Sequence, residues 1–132
     1  MPDYRWIDAR VLFMLHDESL AGHGGGRGVR DMGLLESALM RPQNLANYNP
    51  EADIAELAAS YAHGLAKNHP FVDGNKRVAF LSVGVFLGMN GFELTASPVD
   101  AIQAVLALAG GDMSEEEFAV WLKANMAALA SQ

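Results

Sequence analysis

The chain has no cysteine, which rules out a disulfide framework and any thiolate-bound zinc site. It has no run of basic residues, and its formal net charge of −7 means that little counterion would be released on binding a phosphate backbone. General nucleic-acid binding is therefore not expected. Val, Ile, Thr and Tyr are sparse for a sheet protein, while Ala and Leu dominate, so composition favours helices. The most apolar stretch, residues 78–89, falls well short of the roughly 20 residues needed to cross a bilayer. Residues 1–5, Met-Pro-Asp-Tyr-Arg, lack the basic-then-apolar profile of a signal peptide, and a cytoplasmic protein without membrane association is the expectation. There is no internal repeat and no linker. With 132 residues, about half of them apolar, the chain is expected to form one domain over residues 1–132.

Apolar spacing predicts a helix over residues 8–21, ended by the glycine-rich run 22–28. That run contains neither Gly-x-Gly-x-x-Gly nor a Walker-type pattern, and it reads as a flexible connection. Asp31 can cap a short helix carrying Leu34, Leu35, Ala38 and Leu39 that stops before Pro42, followed by a loop or flap over 43–49. Asn49-Pro50-Glu51 reads as the start of a helix that continues to about Asn68 and is stopped by Pro70. The next helix runs from about Asn75 to Asn90 with Gly91 as its C-cap; it is apolar nearly all round and is expected at the centre of the bundle. Ser97-Pro98 starts a helix that reaches Gly110-Gly111. A capping box at Ser114 and Glu117 opens the last one, which carries Phe118, Trp121, Leu122 and Met126. His16, His23 and His63 show no metal-ligand spacing and are read as structural.

The chemistry gathers in His69-Pro-Phe-Val-Asp-Gly-Asn-Lys-Arg77. A helix that begins near Asn75 presents unpaired amides and a positive dipole end, which together favour an anion. Gly74 lets the backbone approach a ligand closely. Lys76 and Arg77 put two cations in the first turn, where the dipole disfavours them unless an anion is bound. Asp73 can hold a hard cation such as Mg²⁺ beside phosphate oxygens. An imidazole can take a proton from a hydroxyl near neutral pH, which makes His69 a candidate base. Phe71 would pin the loop to the core. From the residues alone the stretch can equally be an ordinary turn, because Asp-Gly and Gly-Asn are common turn pairs and a histidine often caps a helix end.

The same segment resembles the signature of the Fic/Doc family, His-x-Phe-x-Asp/Glu-Gly-Asn-Gly-Arg-x-x-Arg. Gly28-Val-Arg-Asp31, Leu34-Leu-Glu-Ser-Ala38, Arg41-Pro-Gln43 and Phe86-Leu-Gly-Met-Asn-Gly91 are similar to its Doc branch, so the likeness spans nearly the whole chain. The resemblance implies an all-α, single-domain Fic-like bundle of about six helices. It also implies that His69 is the catalytic base, that Asp73 is the Mg²⁺ ligand, and that Gly74, Asn75, Lys76 and Arg77 bind the phosphates of ATP. Lys76 stands where the family pattern has Gly, and Phe80 where it has a second Arg. Both departures are similar to Doc toxins, in which the γ-phosphate is transferred. The implied activity is a protein kinase that modifies translation elongation factor Tu and so arrests translation; AMP transfer and non-catalytic binding to the translation machinery are the alternatives. The inhibitory Ser/Thr-x-x-x-Glu-Gly/Asn helix of many relatives is absent, since Ser114, for example, is followed four places on by Phe118. Restraint would then come from a separate Phd-type antitoxin, unless the chain is a Doc-like protein with no such partner.

Overall fold

A computed structural model describes residues 3–130. Six helices share one apolar core: α1 (Ala9–His23), α2 (Met32–Tyr48), α3 (Ile54–Asn68), α4 (Asn75–Met89), α5 (Pro98–Gly110) and α6 (Glu115–Ala124). Two short strands, β1 (Phe92–Leu94) and β2 (Met126–Ala128), pair antiparallel with Glu93 opposite Ala127. The all-α bundle expected from composition is the observed architecture.

Five helices begin on a side chain that accepts a first-turn amide: Asp8, Asp31, Asp53, Ser97 and Ser114. Such caps satisfy amides that have no partner within the helix. At Asp53 and Ser114 the capping box is complete, with Glu56 and Glu117 reaching back. Helix α4 is the exception. Its N-cap is Gly74, in the left-handed region at φ 81°, and no side chain caps it.

Two sequence expectations are corrected between residues 40 and 54. Helix α2 does not stop before Pro42 but passes through it to Tyr48, so residues 43–48 are helical and do not form a flap. An internal proline removes one ladder bond and crowds the preceding turn, at a cost of roughly 3 kcal/mol. Here Pro42 is itself buried, and Leu45 and Ala46 pack on the core beyond it, which offsets the loss. The polar residues that suggested a loop, Asn44, Asn47 and Tyr48, occupy the solvent face. Asn49-Pro50-Glu51 is likewise not a helix start. The Asn49 amide closes α2 on Leu45 O, its side chain accepts the Glu51 amide at 3.2 Å, and α3 begins three residues later at Ile54.

The centre of the bundle is occupied by two helices. Helix α4 buries Val78, Ala79, Val83, Phe86 and Leu87, yet Gly84 and Gly88 are exposed, and Phe80, Leu81 and Val85 are half-exposed. Helix α3 is enclosed over more of its length because it is built from small residues: Ala55, Ala58, Ala59, Ala62, Gly64 and Ala66 are all buried. They let α2, α4, α5 and α6 pack close around it. A Cβ at Gly64 would lie 3.3 Å from the Ala38 backbone. Both strands went unread in the sequence, and Met126, expected on α6, lies in β2. Three-residue strands that pair over a separation of more than 30 positions leave no local period to detect. No helix among the described residues is long and apolar enough to cross a membrane.

Candidate active site

Helix α3 ends on His69, the one non-glycine among the described residues with positive φ (50°). The left-handed conformation is unfavourable for a side chain, and a following proline disfavours helical backbone as well. Neighbouring groups hold this end in place. Arg30 donates from Nε to His69 O and from Nη2 to Asn68 O, both at 2.7 Å, placing a cation on the negative end of α3. The Arg30 and Asp31 amides both donate to Pro70 O, and the Val72 amide donates to Gly28 O at 3.0 Å. Residues 28–31 thus lie against the loop as a short antiparallel bridge between Val29 and Phe71.

Phe71 is the apolar pin expected from the sequence, buried and in edge contact with Phe13. Asn75 fastens it from the other side: its Oδ1 accepts the Phe71 amide at 2.9 Å and its Nδ2 donates to Phe71 O at 3.0 Å. The Asn75 side chain is therefore engaged inside the loop. What it can offer an anion is its backbone N–H. Its Nδ2 also lies 3.5 Å from His69 Nδ1, a contact too long to assign a tautomer. His69 Nε2 has no hydrogen-bond partner among the described residues.

The remaining expected residues line one open cleft of about 290 Å³, formed by His69, Val72, Asp73, Gly74, Asn75, Lys76 and Arg77. His69, Asp73 and Lys76 are exposed in it. The first ladder bond of α4 runs from Val78 N–H to Gly74 O, so the amides of Asn75, Lys76 and Arg77 precede the ladder. With no capping side chain, this helix end is open to an anion. None of His69, Asp73, Lys76 or Arg77 forms an ion pair within the described residues. Asp73 accepts the Gly74 amide on Oδ1 at 2.8 Å and contacts the Gly26 amide on Oδ2 at 3.4 Å. No three His, Asp or Glu side chains among the described residues are grouped so as to hold a metal ion by themselves. A metal here would thus have one protein carboxylate, the donor set that suits Mg²⁺ when phosphates and water supply the rest.

Phe80 does not line this cleft. It faces a neighbouring apolar groove with Leu81, Gly84, Val85, Leu94, Ala96 and Pro98.

Sequence reading missed three contributors. His16 stacks on Phe71 and bonds the Asp73 backbone. Arg30 clamps the end of α3. The glycine run packs against the loop: a Cβ at Gly25 (φ 120°) would sit 2.9 Å from Asp73 Oδ2, and one at Gly26 would sit 3.0 Å from Val72 Cγ1. The glycines held the detectable signal, because a dense glycine run often marks close backbone approach. Nothing local singled out His16, and Arg30 stood out only as part of the Gly28–Asp31 segment that is similar to the Doc branch.

Comparison with known proteins places the chain in a family. The family model described as Fic/DOC family matches residues 6–87. The chain is 33% identical over 119 residues to the protein kinase doc of Escherichia phage P1, covering 90% of this chain and 94% of that one. It is 44% identical over 75 residues to the toxin Doc of Mycolicibacterium smegmatis, covering 55% and 57% respectively.

Proposed function

Because the chain belongs to the Fic/DOC family, we propose that it is a Doc-like toxin of a toxin–antitoxin module, a protein kinase that transfers the γ-phosphate of ATP to a hydroxyl of elongation factor Tu. The observation that carries this reading is the uncapped start of α4, with Lys76 and Arg77 in its first turn lining the same cleft as an exposed imidazole and an exposed carboxylate.

The amides of Asn75, Lys76 and Arg77 and the two side-chain cations hold the polyphosphate. Mg²⁺ would be held by Asp73 together with phosphate oxygens, and supplies neutralisation of their charge. The target hydroxyl oxygen attacks the γ-phosphorus and its proton passes to His69. The bond to the bridging oxygen breaks, and ADP leaves with that electron pair. Phosphoryl transfer needs little covalent help from the protein, so positioning and charge suffice. Lys76 adds a cation inside the cleft where the general family pattern has glycine, and Phe80 removes one from the next turn. Both changes favour γ-phosphate transfer over AMP transfer. The phage P1 relative is itself named a protein kinase, which supports the same direction.

A Phd-type antitoxin encoded beside this chain would restrain it, and the action would take place in the cytoplasm, where elongation factor Tu works. Incubation with elongation factor Tu and either γ- or α-labelled ATP tests the reaction. Label on the factor from the γ-position alone is the expected result; label from the α-position alone overturns the kinase reading in favour of AMP transfer.

A further inference from the structure

Helix α1 passes behind the loop and presents His16 to it. His16 is 3% exposed, and its ring lies flat on Phe71, with centroids 3.9 Å apart and planes 10° off parallel. Its Nε2 is 2.9 Å from the carbonyl oxygen of Asp73. A carbonyl can only accept, so Nε2 carries the hydrogen and His16 donates. The same edge of the ring lies 3.8 Å from the place a Cβ would take on Gly74. One turn on, Ser19 sets a buried hydroxyl without a hydrogen-bond partner beside that glycine.

The peptide group between Asp73 and Gly74 is therefore gripped at its carbonyl by α1. Its other end, the Gly74 N–H, donates to Oδ1 of Asp73 at 2.8 Å. The carboxylate is thus tied to the peptide that His16 holds, and turning that peptide turns the carboxylate with it. The 3.4 Å contact from the Gly26 amide is the other hydrogen bond to this side chain among the described residues.

We propose that His16 is a positioning residue: its hydrogen bond to the Asp73 carbonyl sets the direction of the Asp73 carboxylate, and through it the affinity of the cleft for Mg²⁺ with ATP. This rests on the reading of Asp73 as the Mg²⁺ ligand. The hydrogen bond, not the stacked ring alone, is the effective part. Partners that orient metal ligands matter in this way, and their loss weakens metal affinity by about 10- to 100-fold.

Two substitutions separate the ring from the donor. His16→Phe keeps an aromatic ring on Phe71 and removes the donor. His16→Gln removes the ring and retains an N–H donor of similar reach. The readout is calorimetric titration of ATP into the intact chain at graded Mg²⁺ concentrations, without target protein, alongside thermal melting. For His16→Phe the half-saturating Mg²⁺ concentration should rise about tenfold or more with little change in melting temperature. Its transfer rate should return towards wild type at saturating Mg²⁺. His16→Gln should melt earlier yet keep a Mg²⁺ dependence close to wild type.

An unchanged Mg²⁺ dependence in His16→Phe overturns the proposal, as does an equal shift in both variants. If His16→Phe does not fold, His16→Leu takes its place as the donor-free variant, and a half-saturating Mg²⁺ concentration raised as far in His16→Gln as in His16→Leu overturns the idea. Asp73→Asn serves as the control. Should it leave the Mg²⁺ dependence untouched, the reading of Asp73 falls and this inference with it. Should Asp73→Asn shift the dependence while His16→Phe does not, only the role of His16 falls.

Discussion

Two regions of this molecule gather charge, and they use it in opposite ways. On one flank of α3, Arg41 and Glu115 form a two-pronged ion pair with both contacts at 2.7 Å, and Arg41 also donates to Ser60 Oγ at 3.0 Å. His63 stands 3.7 Å from the same carboxylate. Arg41 and Glu115 satisfy each other there, and the group ties α2, α3 and α6 together. At the end of α3, by contrast, the polar groups that are satisfied are those that shape the loop: Arg30, Asn75, His16 and the backbone of 70–73. The groups able to do chemistry, His69, Asp73, Lys76 and Arg77, have no ion-pair partner among the described residues and face an open cleft. Pairing stabilises a fold, whereas an unpaired, positioned charge is available to a ligand. That division supports the proposed reading of the loop as the functional region and of the Arg41 cluster as a structural tie.

The comparison breaks most readily at His69. His69→Ala should lower the rate of group transfer by about 10²- to 10⁴-fold. Its melting temperature should stay close to wild type, because the ring is exposed. Kinetics and a thermal melt on the same preparation check both halves, and an unchanged rate would falsify the catalytic assignment.

Arg41→Ala should show the reverse pattern. It leaves Glu115 without its partner in a half-buried setting and should cost about 1–3 kcal/mol of stability, read by urea denaturation. Transfer measured well below the melting temperature should be little changed. A large loss of activity with stability intact would instead join this cluster to the site.

Gly25→Ala probes the boundary between the two behaviours. Its backbone lies at φ 120°, a region essentially confined to glycine, and the new methyl would press on Asp73 Oδ2. A loss of about 1–3 kcal/mol is expected from the strain. ATP binding should also need more Mg²⁺, which a packing site remote from the loop would not produce.

The smallest expected effect is a pH dependence at His63. Burial, and then the Arg41 charge, pushes its pKa below the usual histidine value of 6.5, with Glu115 opposing. The unfolded chain then binds more protons than the folded one in the window just below pH 6.5. Stability contributed by neutral His63 is present above that pH and is lost as pH falls towards the lowered folded value. Melting temperatures between pH 7.5 and 5.5 should fall more in wild type than in His63→Gln. Parallel curves would remove His63 from the account.

Much of this was legible in advance where the cause is local. The capping box at Ser114 and Glu117, the Ser97 cap, the stop at Pro70 and the glycine at the start of α4 are all set by neighbours in sequence, and each stands where it was expected. The errors at Pro42 and at 43–48 have one origin. Local rules weigh a proline and a run of polar residues as breaks, but burial of Pro42 and packing of Leu45 and Ala46 outweigh them. The motif implies Asn75 as a phosphate-binding residue; its side chain turns inward to fix Phe71, which leaves its backbone N–H for that role.

The sequence by itself determined an all-helical chain with one charged, glycine-broken loop ahead of an apolar helix, because helix periods, caps and turn residues act over a few positions. Only the tertiary structure decided which residues hold that loop. His16 and Arg30 are 57 and 38–39 positions from the groups they bond, and a distant hydrogen bond leaves no trace in local pattern. It also decided that α3 shares the centre with α4, because how many neighbours can approach a helix depends on the small residues it presents to all of them at once.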